Sequence, residues 1–285
     1  MSSTILTPWP EEEGLQQPTT LDPSNPSTID DRPRQLVGQS VAYRKLRGAL
    51  VRGDRKRKRG SPICPITVLG PFGCGKSVAV RAACHELGHP LVEIDLSEQS
   101  DFALAYEIAS KLNFSHGVAL VDNLHKSTPG RLQSLAEALA AKSVALVVDR
   151  RRVDFELSQV QIVLSVSGYA QLPSEPGKFV GDWLLPVEIQ TNLGTVIEFR
   201  SLSRPEMFEI LAMPGSPHCR ALLAELGSEQ EEVEISELAL YEFIDQARER
   251  FPVGNMRGLE VVLEEFVRKS YDSMELESEV SRETN

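Results

Sequence analysis

No apolar run in the sequence approaches the ~20 residues that a membrane-spanning helix requires, so no membrane span is expected. The first residues hold no basic segment followed by an apolar stretch, so no secretory signal is expected either. Cysteine is scarce: Cys64, Cys74, Cys84 and Cys219 are the only four, and no two of them make a CxxC pair. A chain of 285 residues needs no disulfide scaffold, and a reducing, cytoplasmic setting is the expectation. The histidines show no metal-ligand spacing with cysteines or carboxylates. A basic excess is missing too, since 30 Lys and Arg stand against 41 Asp and Glu, a net charge of −11. That balance excludes a nucleic-acid footprint over the whole protein, and nucleic acid is not expected as a partner.

The charges that are there are unevenly placed. Residues 225–285 hold 17 acids against 6 bases, which accounts for the entire −11. The first 224 residues are neutral, and nine of the 30 bases fall between Arg44 and Arg59. Residues 1–31 are rich in Pro, Ser, Thr and acids, a composition that buries too little apolar surface to order itself. Next come a helical pattern at 41–51 with Ser40 as N-cap, then a solvated basic loop at 52–60, whose run 55–59 leaves a nuclear-localisation signal or a local nucleic-acid patch open. Apolar strands are read at 63–69, 91–96, 117–121, 144–148, 160–166 and 196–199, those at 63–69, 144–148 and 160–166 as buried. Helices fall between them at 77–87, 102–112 and 131–141. The alternation predicts an α/β fold, a parallel sheet sandwiched by helices. After Leu202 the pattern turns helical, at 205–211, 219–226, 236–250 and 256–271. The expected organisation is a leader at 1–31, a nucleotide-binding domain at 32–201, an acidic helical lid at 202–272 and a polar tail at 273–285.

One stretch carries chemistry. Gly70-Pro71-Phe72-Gly73-Cys74-Gly75-Lys76-Ser77 fits GxxxxGK[ST], between an apolar strand and a helix. Glycines let successive backbone N–H groups curl around phosphate oxygens, and the helix N-terminus adds partial positive charge. Lys76 would reach the β- and γ-phosphates of ATP, and Ser77 would hold Mg²⁺. Asp122 ends an apolar strand, where a carboxylate is placed to complete the Mg²⁺ site.

With these motifs placed, residues 32–270 resemble AAA+ ATPases, specifically the second ATPase module of Clp/ClpB-type disaggregases and unfoldases. Leu36-Val37-Gly38-Gln39-Ser40-Val41-Ala42 is similar to that family's VIGQ..A segment, which lies against adenine and implies Val37 and Gly38 as nucleotide contacts. Glu93 to Glu98 resembles its IDMSE strand end. Leu120 to Lys126 with Pro129 resembles its LLDE..K..P Walker B stretch. Arg152-Val153-Asp154-Phe155 resembles TVDF, and Gly254-Asn255-Met256-Arg257 resembles the GAR that opens the last lid helix. The last match implies Arg257 as the sensor-2 arginine.

The departures from the family run in one direction. Its catalytic glutamate is replaced by Asn123, and an amide positions water without being able to take its proton. Its sensor-1 asparagine corresponds to Ser165 or Ser167. Its arginine finger falls near Asn192, with no Arg between Arg152 and Arg200. Its aromatic–glycine pore loop has no counterpart between Gln99 and His116. The resemblance therefore implies a nucleotide-dependent conformational or regulatory module with weak or absent hydrolysis. An active ATPase with substituted residues, drawn from Glu93, Asp95, Glu98 or Arg150–Arg152, stays open, as does a nucleotide-free scaffold. Expected partners are ATP, another protein at the acidic lid or the leader, and copies of this or other AAA+ chains.

Overall fold

The computed structural model describes residues 36–98, 103–113, 115–148, 151–167, 187–213, 236–252, 255–266 and 268–269, all in one unit, Pro33–Asn285. The expected leader, the helix at 219–226 and the polar tail lie outside them. Strands that are apolar on both faces can be covered only from both sides. The chain does this with five parallel strands: β1 (Ile66–Gly70), β2 (Leu91–Asp95), β3 (Val118–Asp122), β6 (Gln161–Ser167) and β7 (Thr195–Glu198), in the order β2-β3-β6-β1-β7. Helices α1 (Ser40–Lys58) and α2 (Lys76–Leu87) cover one face, where Leu46, Leu50, Ala79 and Val80 meet Val68, Leu120 and Val163. The other face is covered by α3 (Leu104–Lys111) and α4 (Pro129–Ala140), where Leu104, Ile108 and Leu135 meet Ala119, Val121 and Leu164. The parallel sheet sandwiched by helices is as the alternation predicts, with element ends shifted by a few residues.

Two expectations fail for identifiable reasons. The interval 52–60 is not a loop, because α1 runs on to Lys58. Arg and Lys are good helix formers. Asp54 also pairs with Arg57 and, at 2.9 Å, with Lys58 one turn on. The basic last turn further complements the helix dipole. Ser40 is the first helical residue rather than the cap; Gln39 stands at the cap position. The second failure concerns β4 (Val144–Val148). It is not a buried strand of the parallel sheet, since it pairs antiparallel with β5 (Arg151–Phe155), and Ala145 is exposed. Only two residues separate these strands, enough for a hairpin and far too few for a parallel crossover.

A short helix, α5 (Val187–Gln190), precedes β7. Among the described residues three further helices follow β7: α6 (Arg204–Ala212), α7 (Glu237–Arg250) and α8 (255–266). Ser203 and Glu206 close a capping box on α6, and the Ser236 hydroxyl accepts from the N–H of Ala239 at the start of α7. Their apolar faces make a core of their own, with Leu202, Met207, Leu211, Ile244, Leu259 and Val262 at its centre. Arg204 holds Asp245 at 2.7 and 2.6 Å and lies over the Tyr241 ring. No helix among the described residues is long and apolar enough to cross a membrane.

Candidate functional site

Register brings the C-terminal ends of four strands to one edge. Gly70 of β1 pairs with Ser167 of β6, and Asp95 of β2 pairs with Asp122 of β3. Ligands of open parallel sheets bind at this edge. The chain leaves β1 at Gly70, turns, and enters α2 at Lys76 with Gly75 at the cap position, φ +96°. The first N–H groups of α2 are thereby left without helical partners. The Lys76 ammonium is buried and donates to the carbonyls of Gly70 and Pro71 at 3.0 and 2.7 Å. Burial pushes its pKa below the ordinary lysine value. Beside it the Ser77 hydroxyl donates to Oδ2 of Asp122 at 2.5 Å.

The next residue departs from ordinary strand geometry. Asn123 takes the left-handed conformation, φ +56°, which Asn tolerates better than other side chains. Its N–H donates to Oδ1 of Asp122 at 2.8 Å, and its amide Nδ2 donates to Oδ2 of Asp95 at 2.7 Å. Oδ1 of Asp95 also accepts from the N–H and hydroxyl of Ser97 at 2.8 and 2.6 Å. Burial acts to raise the Asp95 pKa, but the bonds from Ser97 and Asn123 outweigh it and hold the carboxyl below its usual range. Glu93 is occupied by Arg81 through two bonds of 2.7 Å.

These groups form one wall of a cavity of about 780 Å³. The opposite wall comes from the C-terminal helices. Leu202, Ile210, Met213 and Met256 line it from there, and with Leu36 and Val37 they add an apolar set to the polar one of Lys76, Ser77 and Asp122. Arg257, exposed on α8, lines the same cavity. Ser165 and Ser167 both reach it, and the buried Ser165 hydroxyl makes no hydrogen bond. Asn255 ties the two walls together. Held at φ +45° and 7% exposed, it accepts from the Leu202 N–H at 2.8 Å and donates to the Phe72 carbonyl of the turn at 3.1 Å.

The comparisons address this region directly. Residues 66–164 match the ATPase family associated with various cellular activities (AAA). This stretch is an AAA domain. No curated protein matches the chain. The AAA domain begins at β1 and ends within β6, so it contains the turn, Asp122 and Asn123. The segment before α1, strand β7 and the C-terminal helices lie outside the match, although the first and last of these supply Leu36, Val37, Ile210 and Met256 to the cavity's lining.

Of the residues singled out from the sequence, Phe72, Gly73, Cys74, Gly75, Lys76, Ser77, Val37, Asp122, Asn123 and Arg257 line one cavity with the AAA domain at its base. Gly70 and Pro71 lie behind it, their carbonyls holding Lys76. Gly38 also stands off the wall. It takes φ +72°, and the Glu206 carboxyl fills the place a Cβ would occupy. Asn192, just past α5, is turned back on that helix, its amide donating to the Glu188 carbonyl at 2.7 Å. Sequence reasoning assigned no role to Asn255, Gln39 or Glu206. Gln39 is buried and donates to the Arg200 carbonyl at 2.7 Å. Glu206 accepts from Arg200 at 2.9 and 2.5 Å. Gly254-Asn255 ahead of an apolar run marks a helix start, but a bond that spans 183 positions to Phe72 leaves no local trace.

Proposed function

We propose that this chain is a Clp-type ATP-binding module whose nucleotide sets the position of the C-terminal helices as a lid, with hydrolysis slow or absent. The cavity's volume of about 780 Å³ suits a nucleotide, and its ends have the polarity one needs. Lys76 would exchange the Gly70 and Pro71 carbonyls for the β- and γ-phosphates. Ser77 and Asp122, already in contact, would hold Mg²⁺, which neutralises charge on the phosphates when bound. Leu36, Val37, Ile210, Met213 and Met256 would receive the base. Arg257 would reach the γ-phosphate from the lid, and the unpaired Ser165 hydroxyl offers a further donor.

One observation carries the weak-hydrolysis reading. The position after Asp122, where Clp-type ATPases place the glutamate that takes the proton of water, is an amide committed to Asp95 at 2.7 Å. Lid position then alters the surface offered to a partner, and the acidic excess of residues 225–285 supplies a docking face. A thermal-shift titration with Mg·ATP followed by phosphate release tests the reading. The native protein is expected to be stabilised without appreciable turnover, and Lys76→Ala to lose the stabilisation.

Asp95 supports a second reading, an active ATPase with a displaced base. Its carboxylate lines the cavity beside Asn123, and its low pKa keeps it ionised. Phosphate release at rates typical of the family, abolished by Asp95→Asn, would favour this reading over the first.

A further inference from the structure

The basic stretch at 44–59 is absorbed by neither the AAA domain nor the lid, and its conformation changes what it can do. A solvated loop spreads its charges over many arrangements. Here all but Arg59, at the C-cap, are fixed on α1, a 19-residue helix. At about 100° per residue, Arg44, Lys45, Arg52, Arg55 and Lys56 fall within one arc of about a third of the circumference, and Arg59 at the C-cap continues it, along roughly 22 Å of axis. All six are exposed, and none forms an ion pair with another described residue. The paired bases Arg47, Arg57 and Lys58 lie off this arc. The helix's single acid, Asp54, lies off it as well and is taken by Arg57 and Lys58. Only Val41 and Gly48 complete the arc, so it carries six cations, no anion and no aromatic ring.

We propose that this face of α1 binds the phosphate backbone of duplex DNA. The occupant follows from what the face has and lacks. Insertion into a membrane needs a free apolar face, but that of α1 (Ala42, Leu46, Ala49, Leu50) is buried against the sheet and α2. A protein partner is anchored by apolar or aromatic hot spots, and the arc offers only Val41 at its start. Single strands are held largely by stacking on aromatics, of which the arc has none. A rigid row of mostly Arg cations over ~22 Å matches a duplex, which presents about one phosphate charge per 1.7 Å of axis. The whole-chain charge of −11 argued against nucleic acid, but that excess sits entirely in residues 225–285, away from α1 in the sequence.

The test is binding of the full chain to a 30-base-pair DNA duplex by fluorescence anisotropy across a salt series, with a single strand of the same length and anionic phospholipid vesicles as comparison arms. Six phosphate contacts predict a slope of log K against log salt of about −5. The variant Arg52→Gln, Arg55→Gln, Lys56→Gln, Arg59→Gln keeps helix-forming side chains. It is expected to bind at least tenfold more weakly at low salt, with a slope of about −2. The same variant should keep its thermal shift with Mg·ATP, which separates loss of this surface from failure of the ATP-binding reading. Equal binding by native and variant proteins, tighter binding to the single strand, binding to vesicles alone, or no binding to the duplex would each overturn the proposal.

Discussion

Among the described residues, three non-glycine positions take positive φ, and all are asparagines: Asn113, Asn123 and Asn255. Two of the three stand in the cavity region, where a strained backbone is retained only if its surroundings hold it. For Asn255 the surroundings are two bonds that no other side chain in that conformation supplies. Asn255→Ala would strand the buried Leu202 N–H, at a cost of about 1–3 kcal/mol. Urea denaturation checks this, and Asn255→Asp, which keeps the acceptor for Leu202, should lose less. Glu206 offers a test through pH. Its pKa is lowered to about 2, chiefly by the Arg200 hydrogen bonds, with burial opposing and Ser203 assisting. The unfolded value is about 4.3. The folded value is the lower, so the stabilisation is complete above the unfolded pKa and is lost as pH falls through the folded one. Glu206→Gln should therefore lower the melting temperature at pH 7, with the difference from native shrinking between about pH 4.5 and pH 2. A difference that stays constant down to pH 2 would contradict this assignment.

At the scale of elements, the sequence reading succeeded where the signal was local. β1, the glycine turn and α2 follow from an apolar run, a phosphate-loop pattern and a 3.6-residue period, and all three stand in place. The sequence alone makes β4 a buried strand, because Val144 to Val148 is as apolar as β3. Its fate was decided by a connection two residues long, which periodicity ignores. The end of α1 was misread because a charge run looks solvated whether helical or not, and its register was visible only once Asp54 could be seen holding Arg57 and Lys58. The cavity's polar end was legible in the AAA domain, but its closure by Asn255 depends on pairing across most of the chain. The edge strand β7 illustrates another non-local constraint. Gly194 takes φ +63° just before it, and a Cβ there would stand 2.0 Å from the Pro65 carbonyl oxygen, which accepts the Thr195 N–H at 3.0 Å. Gly194→Ala is expected to cost about 1–3 kcal/mol by displacing β7 from β1, measurable as a lower urea midpoint.

At the scale of the molecule, the cavity joins two hydrophobic cores that otherwise stand apart, one wall from the sheet edge and one from the C-terminal helices. Under the proposed function, a ligand bound there would touch both, and its occupancy and the position of the C-terminal helices would be linked by the same free energy. The account asks that Mg·ATP bind in this cavity and stay largely intact. The most direct measurement is therefore a thermal-shift titration with Mg·ATP on native protein and on Lys76→Ala, with phosphate release followed in the same samples. At a hundredfold excess over Kd, binding adds about 2.7 kcal/mol. For a domain of this size, that is a rise of roughly 5–10 °C. The account predicts this rise for the native protein, none for Lys76→Ala, and phosphate release near background. Family-like turnover abolished by Lys76→Ala, or no shift at any nucleotide concentration, would contradict it.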